Sequence, residues 1–284
     1  MAGVLKFMVL SFRQFCALLA GFSLLALSLA ALALWGSADP SASPVVLPAK
    51  TAAKVTIWIH GTNLQVVLPK KLHGLLPPTY QPRRPLDFTT TLLPVQQLGA
   101  QSQVRAAAAE LCRQDPAHFN LEQFYLLRWS GGLGTITREN AAIDLYTSLT
   151  ALVAQLTTAT GVTPEITIIG HSHGGNVALS LARVYDRAQL NFQVQRLILL
   201  ACPVLPESCR AAADPLFQEI YVLYSHGDWV QVSDWQDWLQ GFSARSFPAA
   251  PNLQQASVQR QGQDLDHFGF KQRDFIANLP LILR

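Results

Sequence analysis

The chain has 284 residues, half of them hydrophobic, and a formal net charge of only +3 at pH 7. This is enough apolar material for one large domain with a well-buried core. Charged residues are sparse and no long basic run occurs, which excludes nucleic acid as a partner.

Residues 14–38 contain no charge, residues 15–36 are almost wholly apolar, and Lys6 and Arg13 lie just before them. A membrane-spanning helix needs about 20 apolar residues, whereas the core of a cleaved signal peptide has about 7 to 15. The length therefore favours an uncleaved signal anchor in residues 1–38. A cleaved signal peptide is the alternative, since Gly36-Ser37-Ala38 is a tolerable cleavage site. Positive charge precedes the span and next occurs at Lys50, so the positive-inside rule puts the following domain on the extracytoplasmic side. Cleavage would leave it secreted or periplasmic. Cys16 stands at the start of the apolar run, which argues against a bacterial lipoprotein anchor. Residues 39–53 read as a linker, rich in Ser, Ala and Pro up to Pro48, and residues 54–284 as one domain.

Lys54-Val-Thr-Ile-Trp-Ile-His60 is an apolar, β-branched strand that stops at Gly61, followed by the turn His60-Gly61-Thr62-Asn63. Residues 64–95 form a long segment with prolines at 69, 77, 78, 82, 85 and 94 and with Lys70, Lys71, Arg83 and Arg84 among apolar residues. A loop of this length is either a lid, here one suited to rest on an anionic lipid surface, or an irregular covering loop. Residues 97–112, rich in alanine and without proline, predict a helix, and residues 122–129 a second strand ended by Ser130-Gly131-Gly132. Residues 138–157 carry apolar side chains at helical spacing.

The stretch Ile166-Thr-Ile-Ile-Gly-His-Ser-His-Gly-Gly175 is a β-branched strand running into a glycine turn, with a helix expected over residues 176–185. Gly170, Ser172 and Gly174 match G-x-S-x-G in the strand–turn–helix context of a nucleophile elbow. Two more apolar runs follow, at residues 195–201 and 219–224. Five strands alternating with helical segments specify an α/β architecture, a doubly wound, mostly parallel sheet with helices on both faces.

A serine is a poor nucleophile at neutral pH unless a base, oriented by a third group, takes its proton. Asp228 follows the strand ending at Tyr224, in Ser225-His-Gly-Asp-Trp229, at the strand end where open α/β sheets carry their sites. His267 lies in Asp264-Leu-Asp-His-Phe-Gly269, just before a final helix expected over residues 270–279. Asp234, Asp237, Asp264 and Asp266 compete for the orienting role, but none follows a strand so directly. His171 and His226 read as structural, the first inside the tight turn and the second too near Asp228 in sequence. Trp235, Trp238 and Phe242 share a helical face after Trp229. That face either packs on the sheet, walls an acyl-chain pocket or meets a membrane. Cysteines 16, 112, 202 and 209 have no metal-ligand spacing; Cys202 and Cys209 are buried thiols or, in an oxidising compartment, a local disulfide.

Gly-His-Ser-His-Gly-Gly, the early His-Gly-Thr-Asn, the late Gly-Asp and the final Asp-His resemble the α/β-hydrolase superfamily. The strand ending Arg-Trp-Ser-Gly before a long helix, together with the elbow, resembles the lipase-like serine esterases that include the PGAP1-like and DUF676 groups. The resemblance spans about residues 54 to 280 and implies a catalytic triad of Ser172, Asp228 and His267. It implies an oxyanion hole from the amides of His173 and Thr62, with Asn63 as the alternative to Thr62. The activity implied is hydrolysis of carboxylic esters, lipidic ones foremost, through an acyl-enzyme, with no metal or organic cofactor. An acyltransferase, thioesterase or amidase would use the same machinery, and a non-catalytic membrane-tethered binding protein would keep only the fold. Too little chain lies between the linker and Lys54 for the two antiparallel strands with which larger members begin, so a reduced sheet is expected.

Overall fold

The apolar, β-branched runs make strands because they bury side chains on both faces of a sheet. A computed structural model describes residues 51–63, 90–185, 191–232 and 244–284. In chain order its strands are β1 (Lys54–Ile59), β2 (Thr91–Pro94), β3 (Phe124–Arg128), β4 (Glu165–His171), β5 (Val194–Leu200), β6 (Phe217–Tyr224) and β7 (Leu253–Ser257). Among the described residues these seven form one sheet in the order β2-β3-β1-β4-β5-β6-β7. Only β2 is antiparallel to its neighbour. A short antiparallel ribbon, β8 (Gln259–Arg260) and β9 (Gln263–Asp264), stands apart.

In β1, Val55, Ile57 and Ile59 join the core on one face while Trp58 joins the core on the other. A parallel strand covered on both sides reads as a continuous apolar run rather than an alternating one. The first core is completed by α2 (Thr135–Thr160) and α3 (His173–Val184), through Ala142, Leu145, Leu149, Val177 and Leu181. The second is completed by α1 (Gln103–Gln114) and, at the carboxyl end, α5 (Arg273–Ile282), through Ala108, Leu111, Ile276 and Leu279. Between them in sequence lies the short α4 (Pro206–Ala211). Each fully buried Leu, Ile or Val among these contributes about 1.5–3 kcal/mol.

The five strands expected from sequence are present, with two more. β2 lies within the segment read as a loop; it is four residues long and ends at Pro94, so it carries little pattern. β7 reads Leu-Gln-Gln-Ala-Ser and is largely exposed, an edge strand recruited by the open ladder of β6. Among the described residues the antiparallel edge strand of the sheet comes from the chain after β1; the stretch before residue 51, on which the expectation of a reduced sheet rests, lies outside them. The first helix starts later than expected, because residues after Pro94 make a 3-10 turn (Val95–Gln97) and Ser102 then caps α1. Likewise a 3-10 turn, Gly269–Lys271, precedes α5. Gly161 ends α2 at φ 75°, the left-handed conformation of a helix C-terminus.

Cys112, Cys202 and Cys209 are free thiols, so the disulfide reading of Cys202 and Cys209 is set aside. The signal anchor, most of the linker, the body of the candidate lid and the face bearing Trp235, Trp238 and Phe242 lie outside the described residues. Among the described residues no helix is long and apolar enough to cross a membrane.

Candidate active site

From β1 the chain moves outward to β2 and β3, then returns to the opposite side of β1 as β4. The carboxyl ends of β1 and β4 therefore flank the switch point of the sheet, where open α/β sheets place their sites. The register sets Ile59 beside Gly170, and both chains turn immediately beyond.

Ser172 occupies that turn with φ 55° and ψ −136°. A non-glycine residue in such a conformation costs about 1–3 kcal/mol and persists only where its surroundings hold it. Its N–H donates to the Leu200 carbonyl at 2.8 Å and its carbonyl accepts from the Gly175 N–H at 2.9 Å. Helix and strand pass so closely that a Cβ on Gly174 would fall against the Ile59 carbonyl oxygen. Across the turn, a Cβ on Gly61 would lie 2.6 Å from Ser172 Cβ, so the loop after β1 rests directly on the serine.

That loop is pinned by its own contacts. The Trp129 indole donates to the His60 carbonyl at 2.8 Å, and the two rings stack at 5.7 Å. The Asn63 N–H donates to the Gly131 carbonyl at 2.9 Å. Asn63 thus spends its amide on holding the loop, which leaves Thr62 of the two candidates named from sequence. His173 opens α3, where first-turn amides point out of the helix end.

Asp228 and His267 meet: His267 Nδ1 donates to Asp228 Oδ2 at 2.8 Å, and both side chains are buried. The other carboxylate oxygen accepts from the Gln231 N–H at 2.9 Å, capping the helical turn Trp229–Val232. Arg245 clasps the loop by donating to the carbonyls of Ser225, His226 and Asp228 at 3.0–3.1 Å. His171 Nε2 donates to the His267 carbonyl at 3.0 Å, with the two rings 4.9 Å apart, tying the histidine segment to the residue before Ser172. The competing carboxylates are engaged elsewhere. Asp266 accepts from the Phe268 and Gly269 amides at 3.1 and 2.6 Å, and Asp264 from Gln259 in the exposed ribbon at 3.0 Å. Asp234 and Asp237 lie outside the described residues.

Three histidines around the elbow are kept neutral. Burial pushes His171 well below the usual imidazole range, with the nearby His267 adding to the shift. Burial takes His173 down to about 3, helped by the Arg138 guanidinium. His60 is lowered by burial too. The arrangement offers a serine held in a strained backbone conformation and a buried, carboxylate-oriented imidazole whose segment is tied to the serine's turn. Arg245 and the prop made by His171 were not foreseen; Arg245 carries no local sequence signal, and His171 was read only as structural. Among the described residues no group of His, Cys, Asp or Glu side chains is placed to hold a metal ion.

Strand order, the serine elbow after β4 and the sequential Ser–Asp–His order give the described residues an α/β-hydrolase-like fold. No family model and no curated protein matches the chain. Among solved structures it is similar to esterase PE8, at 14% identity over 84% of this chain and 95% of that one, with a TM-score of 0.41. A lipase-esterase related protein from Clostridium acetobutylicum ATCC 824 is similar at 16% identity over 54% of this chain and 44% of that one, with a TM-score of 0.25. Both likenesses are faint, and the fold class rests on the chain's own topology.

Proposed function

We propose that the chain is a serine hydrolase that cleaves carboxylic esters through an acyl-enzyme. The observation that carries this reading is the buried Asp228–His267 pair at 2.8 Å, tied through His171 to a serine at φ 55°. Ser172 Oγ attacks the acyl carbonyl and passes its proton to His267 Nε2. Nδ1–H stays on Asp228, which fixes the tautomer and stabilises the imidazolium. The amides of Thr62 and His173 receive the oxyanion; loss of one such donor typically costs about 10²- to 10³-fold in rate. His267 then protonates the leaving alkoxide, takes a proton from water, and the hydroxide releases the acid and restores Ser172.

The substrate we assign is a lipidic ester. Trp229 directly follows Asp228 and Phe268 directly follows His267, and both aromatic side chains are exposed, at 72% and 41%. Apolar side chains flanking the acid and the base suit an acyl chain. With residues 1–38 read as a signal anchor, the enzyme works from the extracytoplasmic face of a membrane. Recovery of the full chain in a carbonate-washed membrane fraction tests the anchor; a chain released to the soluble fraction rejects it.

Fluorophosphonate labelling of the full chain tests the chemistry, because only an activated serine reacts readily. Wild type should label, and Ser172→Ala and His267→Ala should not. A folded wild type that stays unlabelled would end the enzyme reading. p-Nitrophenyl esters of rising chain length then test the lipidic assignment, which an optimum at acetate would overturn.

A further inference from the structure

The reaction as derived leaves one charge beside the base without a task. Lys271 closes the 3-10 turn Gly269–Lys271, four residues after His267. Its ammonium lies 5.1 Å from the centroid of the Phe268 ring, and that ring meets the His267 ring edge-on at 5.7 Å. Two ring contacts therefore link the cation to the base.

Lys271 is half-buried and lines a cleft of about 500 Å³ between α1 and the start of α5, facing Gln103 and Ala107 across it, with Phe268 and Gln272 on its own side. The other charges of this cleft are matched. Arg273 pairs with Glu110 at 3.3 Å, and Asp274 pairs with Arg260 at 3.2 Å. Among the described residues no carboxylate lies within ion-pair distance of Lys271, and its ammonium rests over the Phe268 ring. Burial lowers the Lys271 pKa, and its charge adds to the depression of His60 and His171, which bracket the elbow. An ammonium partly stripped of water and facing an open cleft is stabilised by any anion that enters. The amide side chains of Gln103 and Gln272 add neutral donors on either side of the same cleft.

We propose that Lys271 is a specificity-determining residue that receives an anionic oxygen group, carboxylate or phosphate, carried by the ester substrate. The inference rests on the proposed esterase chemistry and narrows its substrate class. The ester carbonyl sits at Ser172, the Phe268 ring covers the neutral part of the substrate next to it, and the anion reaches Lys271 beyond.

The test compares the full-length wild type with Lys271→Met and Lys271→Arg on two matched pairs of esters. p-Nitrophenyl butyrate is set against p-nitrophenyl hemisuccinate, which carries a carboxylate in the acyl half. Phenyl acetate is set against 4-acetoxybenzoate, which carries it in the alcohol half. Lys271→Met should lower kcat/KM for at least one anionic ester by about tenfold, the loss expected of one charge-assisted contact, mainly through KM. The neutral partner should stay within about twofold, and Lys271→Arg should restore most of the difference. Inhibition of neutral-ester hydrolysis by inorganic phosphate, against acetate, separates a phosphate preference from a carboxylate one. Equal losses on the charged and neutral esters, or no change on either, would overturn the proposal while leaving the esterase standing. Absence of any Ser172-dependent turnover would overturn the esterase reading. In that event saturation-transfer NMR of monomethyl succinate with the Ser172→Ala chain still reads the anion site, and a signal unaffected by Lys271→Met rejects it.

Discussion

The serine elbow and the Asp228–His267 pair stand at the same end of the sheet, yet they are held by different means. The elbow is built from neighbours in sequence: His171, Ser172 and His173 are all buried where β4 runs directly into α3. The acid and base are 39 residues apart, and each sits in a loop secured from elsewhere, by Arg245 on one side and His171 on the other. A turn with no space around it breaks only where its own atoms or those pressed against it change. A pair assembled from two loops is broken at a distance, without touching either partner. The comparison predicts that damage to the elbow appears first as lost stability, and damage to the pair first as lost rate.

The largest effect is expected at the elbow's tightest point. Gly174→Val would drive a branched side chain into the Ile59 carbonyl, moving β1 against α3. A loss of about 3 kcal/mol or more is expected, since overpacking at a site that cannot relax exceeds the usual range. Denaturant unfolding reads it, and a variant within about 1 kcal/mol of wild type would show that the turn has slack.

Arg245→Met is the matching break in the other region. It removes the donors to the carbonyls of Ser225, His226 and Asp228 while leaving Asp228 and His267 themselves in place. Ester hydrolysis should fall about 10- to 100-fold, with kcat falling more than KM rises, because misplaced catalytic groups cost rate steeply. Stability should fall by about 1–3 kcal/mol, the range for lost hydrogen bonds from a charged group. Unchanged kcat in a folded variant would mean that the pair holds itself without the clasp.

The smallest effect sharpens the contrast through pH. His60, His171 and His173 surround the elbow with pKa values lowered by burial from the ordinary value of 6.5. The unfolded chain binds these protons below pH 6.5 and the folded chain does not, so their contribution is fully present above pH 6.5 and declines as pH falls toward each folded pKa. For His173 that window runs from 6.5 down to about 3. His173→Gln should flatten the acid-side fall in stability by about one proton, or ~1.4 kcal/mol per pH unit, between pH 6 and 4. Parallel profiles for variant and wild type would show that His173 protonates in the folded state.

Much of this molecule is written in short stretches of its sequence. The five central strands, the long helix α2 and the serine turn follow from β-branched runs, helical spacing and glycines, because backbone preference and burial pattern act over a few residues. Asp228 and His267 were nameable for the same reason: each follows or precedes an element that the pattern defines. Tertiary structure alone decided the rest. Residues 253–257 have no apolar alternation and became a strand only because β6 offered an open ladder. Thr62 was named from sequence with Asn63 as its alternative, and only the fold shows that the Gly131 carbonyl takes the Asn63 amide. Asp264 and Asp266 were competitors in sequence, and the fold leaves both exposed and bonded to donors of their own, whereas Asp228 is buried against His267. Arg245 and Lys271 look alike as isolated basic residues, yet the fold gives Arg245 three carbonyls and, among the described residues, sets no carboxylate within ion-pair distance of Lys271. Hydrogen-bond partners, burial and charge compensation depend on residues far apart in the chain, and only folding brings those together.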